Sequence, residues 1–151
     1  MTTVNDVPPQ KLIDLTAEKL REYPEISAPE WANEVKTGTH VETQPVQENW
    51  WYIRTAAVLR KVYLYGPVGT ERLAGDFGGA KDRKAKPYKA VKGSRSIIRH
   101  SLIQLESAGL VEADKNKGRI VTSKGQSLLD NTAREVMKVL ASANPELSKY
   151  Y

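Results

Sequence analysis

Residues 93–122 read GSRSIIRHSLIQLESAGLVEADKNKGRIVT, and the way they divide into elements decides the fold class. After Gly93, Ser94 or Ser96 offers an oxygen to the backbone N–H groups that a helix start leaves without acceptors. Ile97, Ile98, Leu102, Leu105 and Ala108 then recur at the spacing that lines one side of a helix. Gly109 ends it. Residues 110–122 follow as two short runs around Lys115-Asn116-Lys117-Gly118, with the Asn and Gly that tight hairpin turns prefer. A helix closing on Ala-Gly-Leu and leading into a hairpin with a basic tip is the second half of a winged helix. The helix from Ser94 to Ser107 takes the recognition position, and the Lys115–Arg119 hairpin is the wing.

Upstream, Gly66-Pro67-Val68-Gly69 makes a turn, Thr70 is placed to cap a short helix over Glu71 to Phe77, and Gly78-Gly79 stops it. Some fifteen Lys- and Gly-rich residues then separate Phe77 from Ser94, and this stretch is expected to be a mobile basic loop. ENWWYIRTAAVLRKVYLYG, residues 48–66, is apolar around most of a helical circumference, so it is expected to be the buried strut of the domain. Nearer the N-terminus, a helix begins at Pro8-Pro9 and runs to Leu20, ahead of Tyr23-Pro24. A short second helix opens at Pro29-Glu30-Trp31 and closes near Lys36-Thr37-Gly38, and Thr39 to Glu48 is an ordered loop. Beyond the wing, Thr122 or Ser123 caps a last helix carrying Leu129, Ala133, Val136, Met137 and Leu140. The expected architecture is mainly α with a small β-hairpin wing, a winged helix-turn-helix core with extra N-terminal helices. Residues 1–144 form one domain and residues 145–151 a loose tail.

Charge is distributed unevenly along this frame. Residues 1–80 carry eight Lys and Arg against eleven Asp and Glu, whereas residues 81–151 carry fifteen against seven. From Lys81 to Arg99, eight cations in nineteen residues face a single carboxylate, Asp82. Cations gathered in this way are the electrostatic footprint of a phosphate partner. The basic stretch supplies Lys81, Arg83, Lys84, Lys86, Lys89 and Lys92. The recognition helix adds Arg95 and Arg99 one turn apart, with Ser96 and His100 beside them, and the wing adds Lys115, Lys117 and Arg119. Arginine grips a phosphate with two parallel hydrogen bonds, and free amides at a helix start favour anions. Arg54, Arg60 and Lys61 interrupt the apolar strut. They either pair with internal acids or emerge at the same surface. Tyr88, between Pro87 and Lys89, is expected to pack back on the domain, with stacking on a base as its other possible role.

Other chemistries find little support. The chain has no cysteine, and His40 and His100 are its only histidines, so neither a disulfide nor a dedicated zinc site is expected. Asp76-Phe77-Gly78 spells the magnesium-binding triplet of kinases, but the loops that would accompany it are missing. No phosphate-binding GxxxxGK[S/T] loop occurs, and no apolar run reaches the roughly 20 residues of a membrane span. The expected protein is a non-enzymatic, cytoplasmic nucleic-acid binder without cofactors. The main rival is a winged-helix transcription regulator that reads duplex DNA as a dimer, with the aromatics of the first helices at its interface. Such a regulator joins its two helices by ~3–4 residues. The long basic insertion suits an irregular RNA surface read by shape and phosphate.

The chain resembles the S-nineteen-e family of small-subunit ribosomal proteins of archaea and eukaryotes. The resemblance runs through Pro29-Glu30-Trp31 with Val35-Lys36, ENWWY with Arg54, Arg60 with YLYG, the Gly-Gly-basic segment, GSRSIIR, LVE and TSKGQ. It covers about residue 5 to residue 140, and the tail from Ser142 to Tyr151 has no counterpart. It implies a winged-helix core, a place in the head of the small subunit, binding to small-subunit ribosomal RNA beside neighbouring ribosomal proteins, and a role in subunit maturation. Arg54, Arg60, Arg95 and Arg99 would belong to its basic surface. A monomer is expected outside the ribosome.

Overall fold

The computed structural model describes residues 2–150. A 3-10 turn at Val4–Asp6 leads into α1 (Pro9–Leu20); after a second 3-10 turn at Glu30–Asn33 come α2 (Trp50–Tyr65) and α3 (Thr70–Asp76). Strands β1 (Gly79–Arg83) and β2 (Lys86–Val91) precede α4 (Arg95–Ser107), β3 (Val111–Asp114), β4 (Gly118–Val121) and α5 (Ser123–Ala143).

Helix α2 is the expected strut. Trp51, Thr55, Ala56, Val58, Leu59 and Val62 are fully buried, because its apolar residues leave almost no side of the helix without a neighbour. It ends where Gly66 takes φ +70°, a conformation that favours glycine. Helices α1, α4 and α5 pack around it through Leu12, Leu20, Ile98, Leu102, Leu105 and Leu129. A smaller cluster joins Ala32, Trp50, Trp51 and Ile97, with Trp31 edge-on to Trp51 at 5.7 Å. The Trp51 indole N–H donates to Gln104 Oε1 at 2.8 Å, and the Gln104 amide donates to the Ser27 carbonyl at 2.8 Å. Trp51 is 0% exposed and Trp50 6%, as expected of the strut, whereas Trp31, from the first helices considered for a dimer interface, is half-buried against them.

The winged arrangement forms as the sequence indicates. Ser94 caps α4, its Oγ accepting from Ile97 N at 3.3 Å, and Thr122 caps α5, accepting from Gly125 N at 3.2 Å. The wing pairs Val111 with Val121 and Asp114 with Gly118, and it turns through Asn116 at φ +69°. Close to its turn, β4 is tied to the 66–69 turn by two backbone bonds, Val68 N to Arg119 O at 3.1 Å and Arg119 N to Val68 O at 2.9 Å. A Cβ at Gly118 would lie 2.6 Å from the Val68 carbonyl carbon, so only glycine admits this approach.

Three local expectations are corrected. The short helix at 29–38 is a single 3-10 turn, because Thr37 and Gly38 are drawn out to pair with the start of α4: Ser94 N donates to Thr37 O at 2.9 Å, and Gly38 bridges Gly93. Thr70 is the first residue of α3 rather than its cap; Gly69 takes the cap position, with no side-chain bond. The basic stretch 78–94 is an antiparallel hairpin, with Ala80 opposite Ala90 and Lys81 opposite Lys89. Asp82 Oδ1 accepts from Lys84 N at 2.8 Å, an Asx turn that supports the left-handed Lys84 (φ +64°) without a glycine. The tail carries 3-10 turns over Pro145–Tyr150. Among the described residues, no helix is long and apolar enough to cross a membrane.

Two outcomes follow for stability. Leu102→Ala, which empties a fully buried site on α4, should cost ~2–5 kcal/mol in urea unfolding, and Ser94→Ala about 1 kcal/mol through the lost cap. The Tyr63 hydroxyl donates to Asp130 Oδ1 at 2.8 Å, and burial followed by this bond raises its pKa from 10.0 to about 12. The unfolded chain therefore releases that proton first. The contribution is whole below pH 10 and is lost as pH rises towards about 12. Tyr63→Phe should show a shallower loss of stability across that window in alkaline melts.

Candidate nucleic-acid interface

The first turns of α4 present their cations outward because the opposite side is buried. Arg95, Ser96, Arg99 and His100 are exposed, whereas Ile97 and Ile98 are buried. His100 is partly committed to the scaffold. Its Nδ1 lies 2.7 Å from the Ser96 carbonyl, which can only accept, so Nδ1 carries the proton. The ring also stands edge-on to Trp31 at 5.2 Å.

Three segments meet at the foot of the first hairpin. Lys92 Nζ donates to Glu71 Oε1 at 2.7 Å, from β2's end to α3's start. That hydrogen bond first, then the Lys92 charge, then the charge of Arg95, hold the Glu71 carboxyl below its usual pKa. Lys92 is therefore partly neutralised, while Lys84, Lys86 and Lys89 are exposed and form no salt bridge among the described residues. Lys81 and Arg83 are half-buried. The Arg83 Nε–H donates to the Pro87 carbonyl at 2.8 Å, which holds the guanidinium beside the turn.

On the wing, Lys115 and Lys117 are exposed at the tip. Arg119 differs: its Nε lies 3.5 Å from Glu106 Oε2, and its side chain is 23% exposed, so it serves mainly to fasten the wing to α4. Each hairpin thus combines one paired cation, Lys92 at the foot of the first and Arg119 beside the turn of the wing, with unpaired cations at its turn.

Among the described residues, the three cations of α2 form no salt bridge with the internal acids that were one of their two expected fates. Arg54 sits over the Phe77 ring, 4.5 Å from its centroid, and burial lowers its pKa. It lines a cleft of about 310 Å³ with Thr37, Gln44, Gln47, Trp50 and Ile53. Arg60 is half-buried with its Nε unpartnered. Lys61 donates to the Tyr65 hydroxyl at 3.3 Å.

Sequence reading missed two residues here. Arg72, exposed on α3, lies over the same Tyr65 ring at 4.6 Å, which brings it beside Lys61. Nothing in TERLAGD announces this, because the 66–69 turn folds α3 back. His40 packs its ring against Gly38 and Gly79, where an added Cβ would lie 2.6 Å and 2.9 Å from it, and so wedges the 37–48 loop against the hairpin. Tyr88 does not pack back on the domain; it is 67% exposed. No group of three or more His, Cys, Asp or Glu among the described residues could hold a metal ion.

The family model described as "Ribosomal protein S19e" matches residues 3–139. The "Small ribosomal subunit protein eS19" of Thermoplasma acidophilum is 43% identical over 150 residues, covering 99% of each chain. That of Haloarcula marismortui is 44% identical over 154 residues, again covering 99% of each. The "Small ribosomal subunit protein eS19A" of Schizosaccharomyces pombe is 37% identical over 136 residues, covering 90% of this chain and 94% of the relative. The chain belongs to the S19e family of ribosomal proteins, whose members are structural components and not enzymes.

Proposed function

We propose that this chain is a structural component of the small ribosomal subunit, seated in its head, that binds small-subunit ribosomal RNA and is needed for maturation of that subunit. The observation that carries the reading is the set of outward cations left without acids on three neighbouring elements. These are Lys84, Lys86 and Lys89 on the first hairpin, Arg95 and Arg99 on α4, and Lys115 and Lys117 on the wing. Each cation that neutralises a phosphate releases counterions, so affinity comes with a steep salt dependence. Lys81, Arg83 and Ser96 stand beside these cations and add hydrogen-bond donors, and His100, whose Nδ1 proton goes to the Ser96 carbonyl, offers Nε2 as an acceptor. Lys92 and Arg119 act through position more than charge. Arg54, Arg60 and Lys61 extend the surface from α2.

RNA is favoured over duplex DNA by the β1–β2 hairpin. It stands between α3 and α4, where a groove-reading helix-turn-helix has a turn of ~3–4 residues. An irregular RNA surface accommodates such a projection. Trp31, from the first helices, packs edge-on against Trp51 and His100, which occupies part of the aromatic face considered for a dimer and supports a monomer outside the ribosome. A cytoplasmic, ribosome-bound chain with ribosomal proteins as neighbours completes the reading.

Charge reversal tests it. Arg95→Glu with Arg99→Glu should flatten the log–log salt dependence of binding to small-subunit ribosomal RNA by about one to two units. An unchanged slope would remove α4 from the interface. For α2, Arg54→Gln and Arg60→Gln should leave unfolding free energy within about 1 kcal/mol of the parent, the scale of a cation–π contact. Both should reduce incorporation into small subunits on sucrose gradients. Normal incorporation with a large stability loss would make the two arginines purely structural.

A further inference from the structure

Among the residues whose burial is described, the most exposed aromatic side chain stands in the most basic segment. Tyr88 is 67% exposed and belongs to neither apolar cluster, and no ring or cation stacks on it among the described residues. Alternation along β2 puts Tyr88 and Ala90 on one face of the hairpin, and Ala80 pairs with Ala90 across the ladder. The register shifts between Lys81 and Arg83, so that Pro87 and Tyr88 lie opposite Asp82 and Arg83 pairs with Lys86. Tyr88 thus has two alanines beside it on the root side, and the Arg83–Lys86 pair one step beyond it towards the turn. The alanines are too short to cover the ring.

The mounting is firm where the ring is bare. A Cβ at Gly78 would run into the Val91 carbonyl, and Gly79 meets His40, so the two strands close tightly at their base. Gly93 N donates to Ala74 O at 2.8 Å, which ties the end of the hairpin to α3. The Arg83 Nε–H donates to the carbonyl of Pro87, the residue before Tyr88, at 2.8 Å. The remaining guanidinium donors are thereby held next to the tyrosine. Asp82, the lone acid of the segment, turns one oxygen onto Lys84 N at 2.8 Å.

A tyrosine has few rotamers to lose and a flat face to offer, so it gains much from one stacking partner. The surroundings decide what that partner is. Centres of protein–protein contacts are depleted in lysine and other charges, whereas Tyr88 has Lys86 and Lys89 within two residues. Aromatics set among cations are the device by which proteins hold unpaired bases, the ring taking the base and the cations its phosphates. Bases inside a duplex are already stacked and closed to it. Resting on the RNA-binding reading above, we propose that Tyr88 is a base-stacking residue that receives one unpaired nucleobase, with Arg83 and Lys86 on the adjoining phosphates.

Binding of the full chain to two RNA probes tests this: a stem–loop carrying 2-aminopurine in its unpaired loop, and the same stem as a blunt duplex. Tyr88→Ala should weaken stem–loop binding roughly 5- to 150-fold. It should leave duplex binding and the salt slope unchanged, because no phosphate contact is lost, and it should abolish the 2-aminopurine quench. Tyr88→Phe should retain both affinity and quench, and the melting temperature of each variant should match the parent. Equal stem–loop affinity for Tyr88→Ala, or equal losses on both probes, would overturn the stacking role while leaving RNA binding in place. A parent chain that binds neither probe would instead overturn the RNA reading, and this inference with it.

Discussion

The burial of one side of α4 governs what the rest of the molecule can present. Ile98, Leu102 and Leu105 are fully buried against the core built on α2, and each contributes roughly 1.5–3 kcal/mol by leaving water. Rotating the helix to hide its arginines would forfeit that sum. Arg95 and Arg99 repel each other one turn apart, but like charges at this spacing cost only a few tenths of a kcal/mol. Burial exceeds repulsion by an order of magnitude. The direction of the cations is therefore set by apolar packing, and no charge pair is needed to aim them.

Acids then act selectively on what is aimed. Glu71 pairs with Lys92 where the first hairpin joins the body, and Glu106 approaches Arg119 where β4 leaves the turn of the wing. Exposed ion pairs of this kind contribute ~0–1 kcal/mol each, so their value to stability is small. Their placement has a larger effect: charge is partly cancelled at Lys92 and Arg119, where each hairpin is held to the body, and left whole at Lys84 and Lys86 and at Lys115 and Lys117. Two anchored projections with uncancelled cations at their turns suit a partner that is itself an irregular polyanion.

The elements that sequence made legible are those whose local signals agree with their packing. Ser94 before a stripe of Ile97, Ile98, Leu102 and Leu105 specifies α4, and Asn116 with Gly118 specifies the wing, since the capping and turn chemistry acts within a few residues. The first hairpin was hidden because its turn lacks those residues. Lys84 adopts the left-handed conformation with help from Asp82, and Pro87 interrupts what would otherwise read as a strand. The segment around Trp31 was misread for the opposite reason. Its local pattern is helical, but Thr37 and Gly38 are claimed by a distant pairing with Gly93 and Ser94. Of the candidate site, the exposed cations of α4 and the wing tip were legible from period and turn. Arg119 was not, because whether a strand cation meets an acid depends on how the wing leans against α4.

Arg54 and Arg60 show how the same core shapes the field beyond the tips. Both sit on the most buried helix, neither meets a carboxylate among the described residues, and Arg54 rests on Phe77 beside an open cleft. A guanidinium removed from water loses hydration that a ring face restores only in part, about 0.5–2 kcal/mol. The same removal from water means that its charge is screened less by solvent, so it acts more strongly per unit on an anion entering the cleft. Held on a rigid strut, these charges cannot swing towards solvent as the lysines of the tips can. The molecule therefore combines two kinds of cation, a few fixed and poorly screened on α2 and many exposed and well hydrated on α4 and the hairpins. The first kind favours an anion held in one geometry, and the second draws a polyanion to the surface that contains it.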